Sequence, residues 1–267
     1  MSRGDSTPGP GPGRDDKFWQ DYLENPDSPQ KTVRRIFARL PADPRCQLCA
    51  SPFTGLGGRL LKIVGQQQST ANPRMCNRCE KVLLKHHGGA EVDATMVFAD
   101  IRGSTSLAER MSPSEFRTLL DRFYGAATEA VFANGGVVDK FVGDEMVAVF
   151  PPLTGADHAK RAVAAALDIL RATGHADPDG PWVPVGAGVN TGRVWFGALG
   201  DSAHVEISVV GDAVNVAARL AGAAAAGEVI VTAETARVAG LDAGLETLSL
   251  DLKGKEQATE VVTLRVA

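Results

Sequence analysis

Two carboxylates stand where this chain can bring them to one point. Asp144 sits at the reversal between two apolar-rich runs, Val137 to Val142 and Met146 to Phe150. The Gly143-Asp144 pair between them reads as a hairpin turn, because glycine supplies the backbone freedom that a tight reversal needs. Asp100 ends another strand-like run, Thr95-Met-Val-Phe-Ala-Asp100-Ile101, which breaks into the small-residue turn Arg102-Gly103-Ser104-Thr105. Two acidic strand ends beside a loop of open backbone N–H groups could hold divalent metal ions and a polyphosphate. A second chemistry lies in the cysteines. Cys46-Gln-Leu-Cys49 and Cys76-Asn-Arg-Cys79 are two C-x2-C pairs with 26 residues between them, and they use every cysteine of the chain. Each pair can wrap a tight knuckle round one ion, so four thiolates could build a tetrahedral site. The readings left open are zinc, an iron–sulfur cluster or other redox metal, and four buried reduced thiols.

The elements that must position these groups follow from periodicity. The Gly-, Pro- and Asp-rich residues 1–16 cannot bury enough apolar surface to order, and are expected to be disordered. Phe18, Trp19, Tyr22 and Leu23, then Val33, Ile36, Phe37 and Leu40, recur at helical spacing either side of Pro26 and Pro29, which predicts two short helices. The spacer between the cysteine pairs is glycine-rich and polar and reads as a loop. Residues 17–90 are thus expected to form a helical segment with a zinc-ribbon-like module, and 91–267 a second domain of alternating strands and helices. Ser112-Pro113-Ser114-Glu115 is a capping box with proline at the first helical position, opening a helix that ends at Gly135-Gly136. Further helices are predicted over 157–173 and from about 212 to 226, with strands over 183–189, 205–210 and two around Lys253-Gly-Lys255. Asn215 and Arg219, four apart on one of these helices, share a face and can converge on one ligand. Helices packed on a sheet make the fold class α/β or α+β.

Composition narrows the class. With 44% hydrophobic residues the chain can bury a core, and a net charge of −4 leaves no overall nucleic-acid footprint. Residues 31–88 nevertheless carry eleven Lys or Arg against two acids, a basic module suited to docking on the acidic remainder or to a solvated face. No apolar run approaches the ~20 residues that span a bilayer, and the N-terminus lacks the apolar core of a secretory signal. The expected setting is the cytoplasm, where paired cysteines argue for metal rather than disulfides.

Three segments together resemble the class III nucleotidyl cyclases, the adenylate and guanylate cyclase superfamily: Phe98-Ala-Asp100-Ile-Arg-Gly-Ser-Thr105, Lys140-Phe-Val-Gly-Asp144-Glu-Met146, and Ile207-Ser208-Val-Val-Gly211-Asp-Ala-Val-Asn215-Val-Ala-Ala-Arg219. The likeness covers roughly residues 92 to 267 and implies an α+β fold, a ferredoxin-like antiparallel sheet with covering helices. It implies that Asp100, Asp144 and the Ile101 carbonyl hold two Mg²⁺ or Mn²⁺ ions, and that the Gly103, Ser104 and Thr105 amides take the β and γ phosphates. Arg219 is then the group that stabilises charge on the α-phosphate, Asn215 orients the ribose, and Lys253 adds a triphosphate contact. Lys140 and Ser208 fall at the base-reading positions. Lysine can donate to adenine N1 and a serine oxygen can accept from the N6 amine, so ATP is favoured, although a hydroxyl also donates and excludes GTP or a pyrimidine nucleotide less firmly.

The resemblance further implies a homodimer, with metal carboxylates and the Lys/Asn/Arg set reaching each site from opposite protomers. A dimerisation arm is expected over 191–205, with Trp195 and Phe196 supplying apolar contacts. Two other readings compete with an adenylate cyclase. Val142-Gly143-Asp144-Glu145-Met146 is faintly similar to the Gly-Gly-Asp-Glu-Phe signature of diguanylate cyclases, but lacks one glycine and the phenylalanine, and leaves Asn215 and Arg219 without a role. A degenerate cyclase, kept as a nucleotide-binding or dimerisation module, would not need every catalytic position filled as it is here.

Overall fold

A computed structural model describes residues 14–25, 29–40, 44–70, 75–86, 88–200, 205–252 and 257–266. Two helices open it, α1 (Arg14–Glu24) and α2 (Pro29–Ala38), followed by α3 (Gly55–Ile63) and α4 (Asn77–Lys85). The first strand, β1 (Gly88–Ile101), leads through α5 (Ser104–Arg110) and α6 (Pro113–Ala133) into the hairpin β2 (Val137–Val142) and β3 (Glu145–Phe150). Then come α7 (His158–Ala172), β4 (Val185–Gly200), β5 (Val205–Val210) and α8 (Asp212–Ala223). The chain finishes with β6 (Glu228–Thr232), α9 (Ala233–Ala239), β7 (Thr247–Leu250) and β8 (Thr259–Arg265).

The strands form one sheet in the order β2-β3-β1-β4-β6-β8-β7, with β5 paired to the far half of β4. It is the expected α+β architecture, antiparallel but for β4 against β6. Alternation along β1 sends Val97, Ala99 and Ile101 to the face covered by α6 and α7, and Met96 and Phe98 to the other. The capping box forms as read: Ser112 Oγ accepts from the Glu115 N–H while Glu115 accepts from the Ser112 N–H. On the second face α8 lies close to β4, because a Cβ at Gly188 would come within 2.4 Å of the Ala217 carbonyl and 2.3 Å of the Ala221 nitrogen. Only glycine admits that approach, and it presses the helix carrying Asn215 and Arg219 onto the sheet.

Several expectations change. The helix α1 begins at Arg14, inside the stretch expected to be disordered, and the boundary expected at 90/91 falls within β1. The cysteine region does not pack apart from the sheet: Trp19, Leu23, Cys46 and Cys76 share one apolar cluster with Val92, Met96 and Val149. The spacer read as a loop contains α3, whose Leu56, Leu60 and Ile63 are exposed. In α2 the side chain that turns inward is Arg34, at 5% exposure, while Val33 and Ile36 face outward. Of the segment expected as a dimerisation arm, residues 191–200 are the second half of β4, paired with β1 on one edge and β5 on the other, and 201–204 lie outside the described residues. Phe196 is buried in the core at 1% exposure and has no surface to offer a partner there, and Trp195 lies over Gly89.

Candidate functional site

The Asp100 side chain ends β1, directly across the ladder from Glu145 at the start of β3. Asp144, in the reversal between β2 and β3, is drawn to that end by the Ile101 N–H, which donates to the Asp144 carbonyl at 3.3 Å. The tip is held from a second side by Tyr124 of α6, whose hydroxyl donates to the Gly143 carbonyl and whose ring stacks on Phe141 at 4.1 Å. Gly103 takes a left-handed conformation, φ 69°, and serves as the N-cap of α5, so the Gly103-Ser104-Thr105 segment is the beginning of a helix rather than a free loop. From there Ser104 comes near enough to Asp144 to favour its charged form.

Burial, and then the hydrogen bond to Asp144, push the Asp100 carboxyl up to about 6, against the pull of Arg102. Glu145 is pushed up to about 7, first by burial and then by the charges of Asp100 and Asp144. Asp144 goes the other way: burial opposes its charge, but the hydrogen bonds from Ser104 and with Asp100 hold it below the usual carboxylate range. Arg102 forms an ion pair with Asp100 Oδ2, and its Nη1 reaches the Gly222 and Ala224 carbonyls at the end of α8. The other oxygen, Asp100 Oδ1, is buried with no hydrogen-bond partner among the described residues. A buried acceptor left unpaired is costly in the free chain and is the group a cation would satisfy. Sequence reasoning passed over Arg102 and Glu145, although both lie inside the segments it singled out, two residues after Asp100 and one after Asp144.

These shifts set a pH dependence. A carboxyl with a raised folded pKa contributes stability that is complete below its unfolded value and lost as pH rises through the folded one, here from about 4 to about 7. A divalent ion competes with those protons. Added Mg²⁺ or Mn²⁺ should therefore raise the melting temperature by several degrees near pH ~7.5 and by little near pH ~5, as read in thermal scans of protein first stripped of divalent ions. The same ion effect at both pH values would contradict the assignment of Asp100 and Asp144 as ligands.

The second set of groups lies on β2, β5 and α8. Lys140 Nζ donates to Ser208 Oγ at 3.1 Å, although β3, β1 and β4 separate their strands in hydrogen-bonding order. Ser208 is 2% exposed and Lys140 also pairs with Asp139 at 3.4 Å. One residue, Gly211, with φ 156°, turns β5 into α8. On α8 Val216 and Leu220 point into the core, Asn215 is exposed, and Arg219 is half-buried with Nη1 unpartnered among the described residues. An unsatisfied guanidinium nitrogen asks for an anion as the Asp100 oxygen asks for a cation. Lys253 lies outside the described residues.

The four cysteine sulfurs converge, all within 4.8 Å of one another, with Cys49 and Cys76 at 3.8 Å. None of the four is in a disulfide. Cys76 caps the N-terminus of α4 and accepts from the Cys79 N–H at 3.5 Å, so that pair sits at the positive end of a helix.

Comparison with known proteins bears on residues 89–262, which match the family described as the adenylate and guanylate cyclase catalytic domain. An adenylate cyclase of Anabaena cylindrica is 35% identical over 133 residues, 48% of this chain and 26% of that protein. A terminal-differentiation-specific adenylate cyclase of Dictyostelium discoideum is 34% identical over 128 residues, 47% of this chain and 6% of that protein. The chain thus spans about a quarter or less of these relatives. Among solved structures, the guanylyl cyclase Cya2 superposes with a TM-score of 0.61 at 26% identity, over 66% of this chain and 93% of that one. The adenylyl cyclase CyaB from P. aeruginosa gives 0.59 at 25%, over 67% and 96%.

Proposed function

We propose that this chain, which belongs to the adenylate and guanylate cyclase catalytic domain family, converts ATP to 3′,5′-cyclic AMP and pyrophosphate as a homodimer with sites between its protomers. The observation that carries the reading is that two of the unsatisfied buried side-chain atoms among the described residues, Asp100 Oδ1 and Arg219 Nη1, stand at two positions where the reaction needs a cation and an anion. Asp100, Asp144 and the Ile101 carbonyl are the residues that would hold two divalent ions, and such ions when bound lower the pKa of a ribose hydroxyl and offset triphosphate charge. Arg219 places its guanidinium where charge grows on the α-phosphate as pyrophosphate leaves. Asn215, one turn before it on the same face, orients the ribose. The backbone N–H groups of Gly103, Ser104 and Thr105 take up the β and γ phosphates at the start of α5, with Lys253 as a further contact.

Base choice rests on Lys140 and Ser208. With Ser208 Oγ already accepting from Lys140, a second lone pair is left to accept from the adenine N6 amine, while the ammonium donates to N1. A second reading, GTP as substrate, rests on the likeness to the guanylyl cyclase Cya2, and the Ser208 hydroxyl could turn to donate to a guanine O6. Offering ATP, GTP, CTP and UTP separately with Mn²⁺, and identifying cyclic product by mass, tests both. Cyclic AMP from ATP at about tenfold or more the rate from GTP is expected, since one good hydrogen-bond mismatch is worth ~1.4 kcal/mol or more. Equal rates would overturn the base assignment, and no product from any nucleotide would overturn the enzyme.

A further inference from the structure

We infer that Cys46, Cys49, Cys76 and Cys79 hold one thiophilic divalent ion, zinc or iron, and that its presence sets the aim of Lys140 through Gln47 and Arg34; the second half rests on the nucleotide-site reading above. The spacing argues for a single ion. Metal–sulfur bonds of about 2.3 Å place the sulfurs of a tetrahedral ion about 3.8 Å apart, and Cys49 and Cys76 stand at 3.8 Å. In a four-iron cluster each thiolate binds a different iron, which spreads the sulfurs wider than this.

The surroundings are built for thiolates. The Cys76 N–H donates to Cys46 Sγ at 3.3 Å, and Gln66 Nε2 approaches the Cys76 and Cys49 sulfurs at 3.6 and 3.8 Å. The first knuckle closes through Ala50, whose N–H donates to the Cys46 carbonyl at 2.9 Å. Ala50 has φ 59°, a left-handed conformation that alanine holds only when its surroundings impose it. Four thiolates round a divalent ion leave two negative charges, and the buried guanidinium of Arg34 lies against the knuckle.

The path to the nucleotide site is short. Arg34 Nη1 donates to the Gln47 and Leu48 carbonyls inside the first knuckle, at 2.9 and 2.8 Å. Its Nη2 donates to the Gly135 and Gly136 carbonyls, at 3.2 and 2.8 Å, in the turn that starts β2. Gln47 Nε2 donates to the Val138 carbonyl, and the ladder between β2 and β3 shifts register between Val138 and Lys140. A bulge re-aims the side chain that follows it. Here the side chain is Lys140, the donor to Ser208. A knuckle closed on its ion therefore pins the bulge that points Lys140 at the base-reading position, and an empty knuckle releases it.

The test uses the full chain purified from cells grown with zinc and iron in the medium. Elemental analysis should find about one zinc or iron per chain, and the four thiols should resist a thiol reagent until an organomercurial releases the ion. Amide exchange at 137–142 should then rise more than about tenfold while exchange at 259–265, across the sheet, changes less than about twofold. Gln47→Ala should keep its ion, show the same faster exchange at 137–142, and raise KM for ATP about fivefold with kcat little changed. Four freely reactive thiols without an ion, or several irons per chain, would overturn the site. Unchanged exchange at 137–142 after ion release, or an equal rise in both segments, would overturn the coupling, the latter by showing an ion that only holds the fold. The metal and exchange readouts decide this even where no nucleotide is converted, so failure of the cyclase reading is distinguished from failure of the inference.

Discussion

Asp144→Asn should lower cyclase turnover by about 10³-fold, a loss of ~4 kcal/mol of transition-state stabilisation, with the melting temperature little changed. The substitution keeps the shape of the side chain and its place in the hairpin reversal but removes the charge. Of the two carboxyls, Asp144 is held below the usual carboxylate range while Asp100 is pushed up to about 6, so Asp144 ionises first as pH rises. It is therefore the first anchor for a divalent ion as pH rises, and an amide oxygen is a much weaker ligand for a hard cation. The anchors of the hairpin tip, the Ile101 N–H on the Asp144 carbonyl and the Tyr124 hydroxyl on the Gly143 carbonyl, are backbone contacts that the variant retains. Turnover within tenfold of the unaltered protein, measured as cyclic nucleotide per chain at saturating Mn²⁺, would remove Asp144 from the reaction.

Arg219→Ala carries the other large effect, a loss of about 10² to 10³ in kcat, the scale seen when one preorganised donor to developing charge is removed. Its Nη1 has no partner to orphan among the described residues, and Val216 and Leu220 continue to bury the inner face of α8, so the fold should tolerate the change. The two variants also test where the sites are. If each site joins the carboxylates of one protomer to the α8 residues of the other, mixing the inactive Asp144→Asn and Arg219→Ala proteins should restore about a quarter of the activity, because half of randomly paired dimers contain one intact site of two. A mixture as inactive as its parts would place both sets of residues in one chain's own site.

Short-range spacing makes much of the site legible in the sequence. The hairpin of 137–150, the capping box at Ser112 and the shared face of Asn215 and Arg219 depend on neighbours within four residues, and each has the local form its spacing implies. Each cysteine knuckle is legible for the same reason, being a local turn, although the meeting of the two across 27 positions is not. The inner face of α2 is not. Val33 and Ile36 follow helical spacing, yet Arg34 is the buried residue because four carbonyls from the knuckle and the α6–β2 turn need its donors, and those carbonyls are up to 102 positions away. Likewise β4 runs well past the strand expected over 183–189, and its Gly188 marks the approach of α8 and Gly197 the close passage of β1.

By itself the sequence determined which groups this chain can offer to chemistry: paired carboxylates at strand ends, an Asn/Arg face, two C-x2-C pairs and the Lys140 and Ser208 side chains. These follow from residue type and local period, which any stretch of chain states alone. Tertiary structure decided how they meet. That Lys140 touches Ser208, that Glu145 lies across the ladder from Asp100, and that the cysteine knuckle bears on β2 all depend on strands and helices far apart in sequence. Such pairings are settled by which buried donors, acceptors and apolar faces can be satisfied together, a condition on the whole fold that no local pattern contains.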